Sequence, residues 1–165
     1  MSFSLVATNP YASWMAPAFV GMKEDSMDDN VDTFACGVVS PALLGVGIAV
    51  QRTASGAITV KAGASATLGV GVALHDHIVG YLGGYRQYDA VSVLTRGRVW
   101  VALADGTGVV DGAAAKADPT SGQFSTTGSI AVTNAVFRSG PISLLNVDWT
   151  TTTLAAVVEL HNPNV

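Results

Sequence analysis

The chain has 165 residues, 49% of them hydrophobic and only 12% charged, with a formal net charge of −4. Ordinary soluble domains carry about 25% charged residues, so much of this surface must be small and apolar, and is expected to lie against neighbouring copies or a partner. The balance argues against nucleic acid, because displacing counterions from phosphates needs a basic stripe, and Arg96 and Arg98 are the only close basic pair. An anionic membrane surface is disfavoured on the same ground. No run approaches the roughly 18 strongly apolar residues of a membrane span; Gly37 to Val50 is apolar but short and rich in glycine. The N-terminus lacks the basic region of a secretory signal. The lone Cys36 forms no internal disulfide, which fits assembly in a reducing cytoplasm.

Residues 1–36 show no helical or strand period. They mix Phe3, Tyr11, Trp14 and Phe19 with two prolines and an acidic cluster. They are expected to form an extended N-terminal arm, with a short helical turn near Glu24 to Asp28. Aromatic anchors in a segment without a period of its own make Tyr11, Trp14, Phe19 and Met22 candidates for contacts with other subunits or a larger assembly.

Residues 37–165 read as one β-domain. Short β-branched runs recur at about ten-residue spacing, punctuated by Gly, Ser and Asp, the pattern of a sandwich or barrel. The segments LLGVGIAVQ (43–51) and TLGVGVALH (67–75) share one figure. A dinucleotide-binding turn would need a third glycine and a following helix, and neither copy has them. No third copy supports a repeat. Both are expected to be buried strands, from Gly45 and Leu68 onward, whose glycines let another backbone pass close.

The strongest strand signal is DAVSVLTRGRVWVALAD, in which Val91, Val93, Thr95, Gly97, Val99, Val101 and Leu103 keep one parity. Arg96-Gly97 is a poor hairpin turn compared with Asn-Gly or Asp-Gly, so the reading is one long strand bent or bulged at Gly97. GAAAKAD (112–118) is too short for a stable helix and ends at Pro119. After a Gly-Pro break come ISLLNVDW, a Thr run and a last strand, LAAVVEL.

Catalytic and metal chemistry find little support. Asp28, Asn30 and Asp32 sit at calcium-loop spacing, but Thr33 replaces the turn glycine and Val39 the bidentate Glu. His75 and His77 share a strand face, but zinc needs three or four ligands. No GxSxG elbow occurs, and Cys36 reads as a buried structural thiol. Spacing alone does not decide whether two carboxylates meet as glycoside hydrolysis requires; the acids, however, cluster near the N-terminus. Trp100 and Trp149 read as core or interface anchors.

The order of features resembles the structural cement, or capsid decoration, proteins of tailed bacteriophages. PAFVGMKEDS (17–26) resembles that family's Gly-x-x-x-Asp-Ser stretch, which adds Asp25 to the interface candidates. GVGIAVQ and LGVGVALHD resemble its early strands. YRQYDAVSVLTRGRVWV resembles its tyrosine, strand, Arg-Gly, strand core, GAAAKADPTSGQF its Asp-Pro turn, and AVFRS the strand after it. The resemblance spans about residues 17–160.

It implies an all-β protein, a compact Gly-rich β-barrel or jelly-roll-like sandwich with an N-terminal arm. It implies a non-enzymatic homo-oligomer, dimer or trimer, on the outer capsid surface, with the major capsid protein as partner and no cofactor or metal. The alternatives are another virion β-module (tail or baseplate) or a surface glycan-binding domain, and, in a third class, a small β-barrel hydrolase.

Overall fold

The structure, a computed structural model, describes residues 18–25, 29–77, 83–145 and 151–161. Among these residues, ten strands form a single sheet: β1 (Asn30–Cys36), β2 (Ala49–Arg52), β3 (Thr59–Ala62), β4 (Gly69–Ala73), β5 (Ala90–Ala102), β6 (Ala114–Ala117), β7 (Phe124–Ser125), β8 (Ile130–Phe137), β9 (Ile142–Leu145) and β10 (Thr152–His161). The order β1-β3-β2-β4-β5 closes on itself because β1 also pairs antiparallel with β5. The sheet continues from β5 through β10, β8, β6 and β7, with β9 on β10. A parallel bridge from Leu103 to Phe124 brings β7 back to the end of β5. The all-β expectation therefore resolves to a closed barrel with extra strands, not a two-sheet sandwich.

Two cores lie on opposite faces of the shared wall. Inside the first ring, Cys36, Val50, Val60, Val70, Ala73, Val91 and Val93 pack around Leu44 and Tyr85. On the other side, Ala49, Val72 and Leu94 meet Phe124, Phe137, Val158 and Leu160. Strand β5 serves both cores. Before residue 95 its odd positions Val91 and Val93 face the first core, while Leu94 faces the second; beyond it, Val99 and Val101 face the second. A β-bulge makes the exchange. Asn30 pairs with Arg96 but Val31 with Leu94, so Thr95 is the extra residue. Its buried hydroxyl is satisfied by Asn30, which donates from Nδ2 at 2.7 Å and accepts at its carbonyl at 3.2 Å.

One long strand is thus what 90–102 forms, with the bulge at Thr95 and Gly97 beside it at φ +120°. The unbroken parity in the sequence conceals a change of face, because the inserted residue resets the alternation.

Three local expectations need correction. Residues 1–36 are not irregular throughout: Asn30–Cys36 is a strand, and Val31, Asp32 and Thr33 are exposed, so no apolar alternation advertised it. No helical turn begins at Glu24, whose N–H donates to the Arg98 carbonyl at 3.0 Å; residues 26–28 lie outside the described ones. The first LGVG copy does not start a strand at Gly45. Gly47 takes φ +65°, a left-handed bend, and β2 begins only at Ala49. The Ala-rich 114–117 forms β6, in keeping with its weak helical length.

Candidate functional site

The N-terminal segment is built into the body from Ala18 onward. Gly21 N–H donates to the Trp100 carbonyl (2.8 Å), Trp100 N–H to that of Met22 (3.0 Å), and His75 N–H to that of Gly21 (2.8 Å). Lys23 bridges Val99 antiparallel. Residues 21–24 and β1 therefore run along the same edge of β5, one after the other. The segment also covers a third apolar cluster of Ala18, Val20, Ala102, Leu144 and Ala155, with Met22, Trp100 and Ile142 packed against it.

The candidate interface residues separate on this frame. Phe19 is exposed (37%), its ring tilted over that of His75 at 5.3 Å. Met22 and Trp100 are half-buried in the third cluster, next to one another. Asp25 is partly buried, with Oδ2 3.9 Å from Arg98 Nη1 and a buried Oδ1 that has no hydrogen-bond partner. Phe19, Met22, Asp25 and Trp100 thus share one region along β5. Tyr11, Trp14 and Trp149 lie outside the described residues.

Sequence reasoning passed over the charges gathered beside this region. Arg98 on β5 approaches Glu24 (3.6 Å) and Glu159 on β10 (3.4 Å); Arg138 after β8 pairs with Glu159 and lies 3.6 Å from Asp111. Arg98 and Glu159 stand opposite each other in the β5–β10 register, a pairing of residues 61 positions apart that no local pattern reveals. Glu159 is the least exposed member, at 16% of its side chain. Such partly solvated pairs fix register more than they add stability.

His75 is held below the usual histidine range, mainly by burial and then by the nearby His77, with Asp76 opposing. Its Nε2 is buried without a hydrogen-bond partner. No group of three His, Cys, Asp or Glu side chains able to hold a metal occurs among the described residues. Burial raises the Cys36 thiol, which contacts the Tyr85 carbonyl at 3.8 Å inside the first core. A cleft between Ala49–Val50, Ala64–Ser65, Gly69–Gly71 and Ile130–Val132 has a volume of only about 30 Å³, room for a water molecule or so, far below the several hundred Å³ of a small-molecule site.

The comparisons with known proteins fit this architecture. The profile of the family described as structural cement protein (E217 gp24/Pam3 gp6) matches residues 6–161. The chain belongs to the phage structural cement protein family. It is therefore a structural component of a phage capsid. No curated protein sequence matches it. A chain from the solved capsid of Myoviridae phage XM1 is similar in fold, with a TM-score of 0.67 at 18% identity, covering 95% of this chain and 98% of that one. At that identity the likeness shows the fold alone.

Proposed function

We propose that this cement protein decorates the outer surface of the capsid, binds the major capsid protein, and stabilises contacts between its copies without catalysis. Membership of the cement family over residues 6–161 carries the reading. The physics supports it. A closed barrel joined through β5 to a second ring of strands gives a stiff body, and a repeated lattice makes many weak contacts effectively permanent. As a homo-oligomer, dimer or trimer, it would span neighbouring shell subunits. Synthesis in the host cytoplasm suits its single buried thiol, Cys36.

In this reading Phe19, Met22, Asp25 and Trp100 form one contact region on the body, and Tyr11, Trp14 and Trp149, outside the described residues, are further contact candidates. The aromatic residues and Met22 are of types enriched at interfaces. The test is to mix the purified protein with shells assembled from major capsid protein alone, then measure saturation and the shell's melting temperature. Stoichiometric binding with a raised shell melting temperature is expected. Absence of binding, or labelling on tails or baseplates instead of shells on intact virions, would favour the tail-module alternative.

A further inference from the structure

The end of the first barrel farthest from the ion-pair network carries a second, different surface. Loop 37–44 leaves β1 and returns to the turn at 83–89, and the two are stitched at both ends. Tyr88 N–H donates to the Cys36 carbonyl (2.8 Å), while Leu44 and Tyr85 exchange hydrogen bonds of 2.9 and 2.8 Å. A Cβ on Gly84 would lie 3.0 Å from the Leu43 Cβ, so the loop and the turn are in contact. Val39 to Leu43 is an unbroken exposed run, VSPAL, without an ionisable side chain. Val39 is 69% and Leu43 44% exposed, and Tyr88 beside them is 75% exposed.

Tyr88 is held there by an unusual backbone. It takes φ +69°, in a turn closed by Asp89 N–H to the Arg86 carbonyl (3.0 Å) and by Arg86 N–H to Asp89 Oδ2 (2.7 Å). That position in a turn ordinarily takes Gly or Asn, and a bulky residue there is an outlier. Strain of this kind gathers where a side chain is being presented for use. Arg86 is also exposed and makes no ion pair among the described residues. Tyr and Arg are, with Trp, the residue types enriched at interface hot spots, and here both lie beside an uncharged apolar loop.

The molecule is thus polarised along β5. Tyr88 precedes the strand; Arg98 lies on it ten residues later, at most about 30 Å away at the rise of a β-strand, with Glu159 of β10 and Arg138 after β8 beside it. One end bears a cross-linked set of solvated charges; the other bears a tyrosine, a cation with no ion pair among the described residues, and an apolar loop.

We infer that Tyr88, Arg86 and the Val39–Leu43 loop form the foot by which this protein stands on the shell, seated on a protein surface that offers an apolar pocket beside a carboxylate. The inference rests on the capsid-decorating reading above and adds a second surface, apart from the region of Phe19, Met22, Asp25 and Trp100, and its chemistry. The unpaired guanidinium selects an acidic partner. A second copy meeting this patch across a two-fold axis would bring the same unpaired cation towards itself, with the Asp89 carboxylate already holding the Arg86 amide.

The decisive variant is Tyr88→Gly, because glycine relieves the left-handed strain while removing the ring. Wild type, Tyr88→Gly, Arg86→Glu and, as a control at the other end, Asp111→Ala are titrated onto undecorated shells by co-sedimentation. Melting temperatures and solution masses are taken in parallel. Tyr88→Gly is expected to melt no lower than wild type and to bind at least tenfold more weakly; Arg86→Glu should bind similarly weakly, and Asp111→Ala like wild type. Wild-type affinity in both Tyr88→Gly and Arg86→Glu overturns the foot and leaves the decorating role standing. A fall in oligomer mass in those variants assigns the patch to a second copy and overturns the inference. Failure of wild type itself to bind shells overturns both readings.

Discussion

Gly71 and Leu94 meet backbone to backbone across β4 and β5: a Cβ built on Gly71 would stand 2.0 Å from the Leu94 carbonyl oxygen. No side chain can flex to relieve such a clash, because the obstructing atom belongs to the strand that both cores share. Gly71→Ala is expected to destabilise the fold by about 3 kcal/mol or more, at the upper end for overpacking. Urea denaturation measures this directly, and a loss under about 0.5 kcal/mol would show that the β4–β5 wall is not as closely packed as described.

The neighbour of each LGVG copy is in the same chain. The two copies also meet one another: Ala49 pairs with Val72 and Val50 with Gly71 across the β2–β4 ladder. In the first copy, a Cβ on Gly47 would reach within 2.1 Å of Val20 Cγ1 and 2.7 Å of the Gly21 nitrogen. One figure thus serves two ends: a strand glycine that admits β5 and a bend glycine that admits the N-terminal segment.

Gly97 gives a milder case. Its φ of +120° disfavours any side chain, and a Cβ would come 3.0 Å from that of Asp29. Gly97→Val is expected to cost about 2 kcal/mol, within the usual range for backbone strain. Gly140, with nothing within 4 Å of a built Cβ and no left-handed φ, is the control: Gly140→Ala should leave the denaturation midpoint almost unchanged. Equal midpoints for both variants would remove the special role of position 97.

What the sequence disclosed and what it hid divide along local and non-local lines. The all-β class, the single long β5 and the close-packed glycines were legible, since each rests on local pattern: β-branched runs, a poor turn dipeptide, glycine flanked by apolar residues. β1 was hidden because its exposed half carries Asp32 and Thr33 and faces solvent instead of a core. The face switch at Thr95 was hidden because a bulge inserts one residue without disturbing the string. Arg98, Glu159 and Arg138 come together only through strand pairing. Of the candidate interface residues, Phe19, Met22, Asp25 and Trp100 are brought into one region, which no period in residues 1–36 indicated.

Truncation separates the docked part of the N-terminus from what precedes it. Going from a chain lacking residues 1–17 to one lacking 1–22 removes the Gly21–Trp100, Met22–Trp100 and Gly21–His75 backbone hydrogen bonds and uncovers the third cluster. At about 1 kcal/mol per hydrogen bond, plus about 2 kcal/mol for Val20, the further step should cost at least about 3 kcal/mol. Equal stabilities of the two truncations would mean that 18–22 only rests on the body. Shell binding by each, set beside its stability, then distinguishes a lost contact from a lost fold.

His75 makes that docking sensitive to pH. Its folded-state value is lowered, chiefly by burial, so the unfolded chain binds the proton more readily. The contribution is complete above the unfolded value of about 6.5 and is lost as pH falls from there towards the lower folded value. The difference in melting temperature between wild type and His75→Gln should therefore change between pH 7.5 and 5.5, wild type losing more. A constant difference would show that the imidazole takes up its proton equally in the folded and unfolded states, so that burial does not lower its folded value.

Asp118 governs the turn that joins the two halves, and it titrates lower. Its Oδ1 accepts the N–H groups of Ser121 (2.6 Å) and Thr120 (2.9 Å), and these bonds, that of Ser121 foremost, hold the carboxyl below its ordinary value. The same turn presents the Gly122 carbonyl to Ala49 N–H (2.8 Å) and the Pro119 carbonyl to Gln51 Nε2 (3.2 Å), tying β6–β7 to β2. Because the folded value is depressed, the stabilisation is present above the unfolded value of about 4 and disappears as pH falls through the folded one. Asp118→Ala should therefore be less stable than wild type at pH 6, with the two converging as pH falls towards 2. Curves that stay parallel over that range would mean that the turn holds its shape without the ionised carboxylate, and that the packing of Gly122 against Ala49 alone fixes the junction.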